Sequence, residues 1–165
     1  MAQEVATPGT QNVDTLTGKE LEDFVTFVVK DQLFGIPVLK VQDILTPDSI
    51  ASIPLAPAEV RGSINLRGRI VTVIEVRARL GLERLVTKKG MGMGVTVEHH
   101  NELYTLLVDN VGDVISLSRE LYESNPSTLD PIWREFALGV YRLDERLLVV
   151  LDVERLLDIK TPSTF

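Results

Sequence analysis

Cysteine is absent from this chain of 165 residues, which rules out disulfide bridges and thiolate metal sites. Histidine is nearly as scarce, with His99 and His100 alone. Neighbours in a strand point to opposite faces, so these two cannot easily share one ion. Neither stands at the spacing to Asp or Glu that a zinc or hydrolase motif needs, and a solvated hairpin turn accounts for both. Bases are outnumbered 17 to 24 by acids, and the net charge of −7 lacks the basic footprint of a nucleic-acid binder. Aromatic residues make up 5% of the chain, too few for a series of base-stacking platforms. The longest strictly aliphatic run, Leu147 to Leu151, is far short of a bilayer span. The start, Met1-Ala-Gln-Glu-Val-Ala, has neither the basic residues nor the apolar run of a signal peptide. A soluble cytoplasmic protein without direct membrane insertion is expected.

Catalytic signatures are missing too. There is no P-loop, nucleophile elbow or zinc-protease helix motif. The glycine-rich run Lys88-Lys-Gly-Met-Gly-Met-Gly94 lacks the spacing and the strand-to-helix setting of a dinucleotide site, and reads as a connection between two β units. Asp109 and Asp113 resemble paired carboxylates, but Asn110 and Gly112 between them mark turn formers. Trp133 and Tyr141 read as packing residues. No catalytic residue, cofactor site or metal site is expected.

What is present is centred on residues 61–77. Ser63 to Leu66 is β-compatible, Arg67-Gly68-Arg69 is a tight turn in which Gly68 can take a positive φ, and Ile70 to Val76 is a β-branched run. Two arginines therefore sit at the rim of a stiff hairpin, either as solvated turn charges or as a displayed cationic contact. The charge pattern bears on that choice. Residues 61–90 carry eight bases and two acids, while 1–60 carry nine acids and three bases and 91–165 carry thirteen and six. A basic island in an acidic chain gives a surface of mixed sign, suited to docking proteins.

In chain order, residues 1–21 read as a mobile tail. Asp23 to Val29 alternates as a strand, Lys30-Asp31-Gln32 turns, and Leu33 to Ile36 returns until Pro37 stops the ladder. Val38, Val41 and Ile44/Leu45 recur at helical spacing and predict a short helix ended by Pro47, with Lys40, Gln42 and Asp43 facing out. Pro57 to Gly62 reads as one helical turn with Gly62 as its cap. Val76 to Leu82 is a further helical turn closing at Gly81. Val95 and Val97 open a hairpin that returns at Tyr104 to Val108; Asp109 to Asp113 breaks it, and Val114 to Leu117 is extended. Residues 118–136 read as irregular. A last hairpin runs from Ala137 to Leu151, after which Asp152 caps a short helix with Val153, Leu156 and Leu157 inward. Many short strands with scraps of helix predict an all-β architecture of small barrels. The two halves echo each other loosely without forming a sequence repeat.

Several ordered motifs carry a family resemblance: Phe34-Gly-Ile-Pro-Val38 with Val41-Gln-Asp-Ile44, Ile53-Pro-Leu-Ala-Pro57, Arg61-Gly62 and Asn65-Leu-Arg-Gly68. Downstream stand Ile74-Glu-Val-Arg77 with Leu80-Gly81, Leu107-Val-Asp-Asn-Val-Gly-Asp-Val114, and Leu148 to Leu157. Over about residues 22–160 the chain resembles the bacterial chemotaxis coupling proteins of the CheW family. Thr72 stands where the family usually has proline, and Glu75 where it usually has aspartate. The resemblance implies two interlocked five-stranded SH3-like β-barrels, placed at roughly 22–88 and 94–160, between tails 1–21 and 161–165. It implies no enzymatic activity and a scaffold that links the cytoplasmic tips of methyl-accepting chemoreceptors to the regulatory domain of the histidine kinase CheA in membrane-associated arrays. By motif position it implies protein contacts at Val41, Asp43, Gly62, Arg67, Val111 and Val114. The alternatives are a coupler of another chemosensory or motility pathway, or a small barrel that binds a ligand or nucleic acid.

Overall fold

The alternation that starts the ordered chain makes β1 (Leu21–Val29), with Phe24, Val25 and Phe27 buried. β1 folds back on β2 (Gln32–Pro37) through Lys30 and Asp31, both at positive φ. The structure, a computed structural model, describes residues 20–83 and 92–159. The expected tails, except Glu20 and Leu21, and most of the expected glycine-rich connection lie outside those residues.

After one 3-10 turn (Val38–Lys40), Val41–Leu45 is a strand, β3, not the expected helix. The apolar spacing at 41, 44 and 45 fits either conformation, and pairing decides: Val41 opposes Val97 and Ile44 opposes Val95 on the strand Met93–His99. β4 (Val60–Leu66) and β5 (Arg69–Glu75) form the central hairpin, followed by the single helical turn α1 (Val76–Arg79). Gly62 therefore does not cap a helix. It sits inside β4, where the ladder slips by one residue between Val60 and Gly62.

The second stretch has β6 (Met93–His99), β7 (Glu102–Val108), β8 (Asn110–Ser118), the two-residue β9 (Tyr122–Glu123) and α2 (Pro131–Phe136). It ends with β10 (Ala137–Arg142), β11 (Leu147–Leu151) and α3 (Val153–Leu157). Residues 110–113 continue a strand instead of breaking one, because β8 pairs along β1 with a bulge that absorbs one extra residue. The stretch 118–136 is more regular than expected, with β9 and α2 in it. Asp152 caps α3 as expected, its carboxylate accepting from the Glu154 and Arg155 amides.

The strands form two sheets, in the orders β8-β1-β2-β11-β10-β9 and β3-β6-β7-β5-β4. Within each, a parallel pair joins two hairpins: β2 with β11, and β5 with β7. These are two interlocked SH3-like barrels, and they do not divide at residues 88 and 94. The first barrel takes β1 and β2 from the beginning of the chain and β8–β11 from its end. Each barrel has a small core of its own: Phe24, Tyr141, Leu148 and Val150 in the first, and Ile64, Val71, Val73 and Leu107 in the second. A larger cluster, including Phe27, Phe34, Ile74, Leu106, Val149 and Leu156, is shared between them. Trp133 belongs to this packing, with its ring edge-on to Phe34 and its indole N–H donating to the Leu80 carbonyl.

Candidate protein-docking surface

At the rim of the second barrel, β4 turns into β5 through two residues, Arg67 (φ +52°) and Gly68 (φ +84°). A turn with both central residues in the left-handed region matches the twist of the flanking strands. Gly68 meets the expectation; Arg67 shares the conformation, which is uncommon for a residue with a Cβ. The Asn65 side chain pins the turn by accepting from the Gly68 amide at 2.9 Å. Arg67 is thus held outward, its side chain 76% exposed, and its Nη2 donates to Asp43 Oδ2 at 2.8 Å. Asp43, on β3, is 24% exposed, and its other oxygen accepts from the Ile44 amide. Two residues far apart in sequence are therefore locked into one surface feature by rigid strands. Ile44 and Ile70, 40% and 80% exposed, add apolar area on the same two elements. A charged pair fixed on stiff backbone with apolar neighbours can recognise another protein; nothing in it can do bond-making chemistry.

The other expected contacts lie differently. Val41 shares β3 with Asp43 and packs partly against the common core. Gly62 is buried, and a Cβ there would stand 2.2 Å from the Ala51 carbonyl oxygen. Its requirement is backbone approach, not surface contact. Val111 and Val114 sit on β8 in the other sheet, Val111 against the common core and Val114 54% exposed. Val111 opposes Phe27 and Val114 opposes Val25 on β1, as Val41 opposes Val97 and Ile44 opposes Val95 on β6.

Asp109, read from the sequence as a turn former, is the main electrostatic anchor. Arg77 grips it with Nε to Oδ1 at 2.8 Å and Nη2 to Oδ2 at 2.6 Å, and the Lys30 amide donates to Oδ2. The group ties α1, the β7–β8 junction and the β1–β2 turn together. Burial pushes the Asp109 carboxyl up, but the hydrogen bonds from Arg77 and Lys30 and the Arg77 charge outweigh it and hold it below the usual value. The hydrogen bonds that Arg77 donates to Asp109 in turn raise the Arg77 pKa.

His99 and His100 occupy the β6–β7 turn as expected, yet not on opposite faces. His100 has φ +52°, and the two ring centroids come within 3.9 Å. Among the described residues, no group of three or more His, Cys, Asp or Glu could hold a metal ion. No helix among them is long and apolar enough to cross a membrane.

Fold and surface together define a protein-docking module of paired SH3-like barrels. The description of one family, the CheW-like domain, matches residues 23–160, and the chain belongs to that family. It is a family of non-enzymatic scaffold proteins in chemotaxis. The chain is 30% identical over 150 residues to the chemotaxis protein CheW of Klebsiella aerogenes, covering 90% of each. It is 29% identical over 153 residues to that of Treponema pallidum, covering 91% of this chain and 90% of the relative. The crystal structure of the scaffolding protein TtCheW from Thermoanaerobacter tengcongensis superposes with a TM-score of 0.75 at 26% identity, over 86% of this chain and 95% of that one.

Proposed function

We propose that this protein couples methyl-accepting chemoreceptors to the histidine kinase CheA, as a cytoplasmic scaffold recruited to membrane-associated receptor arrays. The observation that carries the reading is the Asp43–Arg67 pair: a 2.8 Å ion pair held at a barrel rim, exposed enough to be recruited by a partner. A receptor tip is a bundle of helices whose mixed apolar and charged face suits an exposed ion pair with exposed apolar residues on the adjoining strands. CheA enters through its regulatory domain, a barrel pair of the same kind, packed end to end on this one. Each contact need be only modest in affinity, because an array multiplies it through effective concentration. Val41, Val111 and Val114 extend the proposed contacts; Gly62 supports them from within.

The test is co-sedimentation of the purified protein with receptor-containing membranes, alongside capture of CheA from solution. Wild type should be retained in both, and Arg67→Glu, with unaltered circular dichroism, should be lost from the membranes. Equal retention of the folded variant would remove the Asp43–Arg67 surface from the account.

A further inference from the structure

The two sheets are built alike, and over the first strands of each half the likeness shows in the sequence at a fixed spacing. Val25, Thr26, Leu33, Val41 and Asp43 recur as Val95, Thr96, Leu103, Val111 and Asp113, each seventy positions later. The ladders agree: Phe27 opposes Phe34 as Val97 opposes Tyr104, and Val41 opposes Val97 as Val111 opposes Phe27. The later hairpins correspond as well. β4 and β5 slip register between Val60 and Gly62, and β10 and β11 slip between Ala137 and Gly139. At both glycines a Cβ would strike neighbouring backbone: the Ala51 carbonyl at 2.2 Å for Gly62 and the Glu123 carbonyl at 2.7 Å for Gly139. Each hairpin then ends in one short helix that starts at a buried valine behind an acid, Val76 behind Glu75 and Val153 behind Asp152.

The chain is thus the same unit written twice, as 20–83 and 92–159, but neither unit makes a barrel by itself. In each sheet the first hairpin comes from one unit, and the third strand and last hairpin come from the other. Chain reach explains the exchange. If β3 paired with β1 of its own unit in the register that β8 uses, Val41 would lie level with Phe27 on the far side of β1 from β2. Pro37 is level with Phe24, so the gap is three residues along the strand and two strand spacings across, about 14 Å. Four Cα steps at full extension cover only about 14 Å, and the straight path runs through β1 itself. The three-residue turn Val38–Lys40 cannot make the detour. Val108 to Val111 leaves the second unit the same constraint.

We infer that the two units are obligate binding partners of one another: each is the only surface that completes the other's barrel, whether or not a peptide joins them. The common core agrees, since Phe27, Phe34 and Ile74 of one unit pack in the cluster with Leu106, Val149 and Leu156 of the other. Such an interface, made of paired strand edges and a shared core, resembles an obligate one.

The test starts from the full chain with a specific protease site placed between Glu83 and Gly92, cut after folding. The cut protein should run on size exclusion at the volume of the uncut chain, melt in a single transition, and return as an equimolar complex after urea unfolding and dilution. Separation of the pieces under native conditions, or two melting transitions, would overturn the inference. Should the added site itself prevent folding, hydrogen exchange on the unaltered chain decides. The slowest amides of β5–β7 and of β2–β11 should open together; one sheet exchanging while the other stays protected would overturn it equally.

Discussion

Gly62→Ala separates two roles that the sequence alone merges. The new Cβ would lie 2.2 Å from the Ala51 oxygen, 2.8 Å from Ile50 Cγ2 and 2.9 Å from the Ala51 carbonyl carbon. Two of those atoms are backbone in a bridge closed by two hydrogen bonds, Ala51 N to Ser63 O at 2.9 Å and Ser63 N to Ala51 O at 2.8 Å. The segment cannot yield without breaking them. Each bond contributes about 1 kcal/mol net, and a residue with a Cβ held at the φ of +151° seen here adds about 1–3 kcal/mol, so the substitution should cost roughly 3–5 kcal/mol. That is a large share of a domain's typical stability of about 5–15 kcal/mol. Gly68→Ala is the control: its φ is +84° but nothing lies within 4 Å of the added atom. Only the backbone term remains there, about 1–2 kcal/mol. Urea titration of both variants measures the difference. A Gly62→Ala midpoint no lower than that of Gly68→Ala would show that the bridge moves freely, and the steric reasoning would fail. If it holds, lost partner binding in Gly62 variants reports a damaged barrel rim and not a missing contact.

Further outcomes follow from the charges. Because Arg67 is largely exposed, Arg67→Glu and Asp43→Lys should each change folding stability by only about 0–1 kcal/mol while weakening receptor binding by about 2 kcal/mol, roughly thirty-fold. The double reversal should recover part of the lost binding, and isothermal titration against a receptor fragment would measure it; no recovery would mean that each charge meets the receptor separately. Asp109 gives a pH signature. Its folded pKa is depressed, so its contribution is complete above the unfolded carboxylate pKa, about 4, and is lost as pH falls through the folded value. Melting temperatures from pH 7 to 3 should therefore fall more steeply for wild type than for Asp109→Asn, and parallel profiles would contradict the anchor assigned to it.

The hairpins of this protein are written locally, and for that reason they were readable. Lys30-Asp31, Arg67-Gly68 and His100-Asn101 are turn residues between alternating or β-branched runs, and all three fall at two-residue turns. The errors occur where a distant partner decides. Val41–Leu45 has apolar positions that suit a helix, and only β6 makes it a strand. The sequence marks Gly62 as a glycine needed for its backbone, but the need arises from Ala51 across the sheet and not from a helix end. Asp109 looked like a turn former because its partner, Arg77, stands 32 positions earlier, with nothing in the local pattern to join them. Family motifs point to Asp43 and Arg67; their direct pairing is decided where β3 and the β4–β5 turn come together. The two halves echo each other only loosely in sequence because the identities are few and the later hairpins keep a different spacing from the earlier ones.

The central claim is that this scaffold joins receptor to kinase, and a reconstituted signalling mixture tests it most directly. Purified CheA and receptor-containing membranes would be assayed for CheA autophosphorylation with and without this protein. Its addition should raise the rate well above that of the two partners alone, and Arg67→Glu, folded but unable to engage the receptor, should not. A rate unchanged by the wild-type protein, with both partners active, would contradict the coupling role.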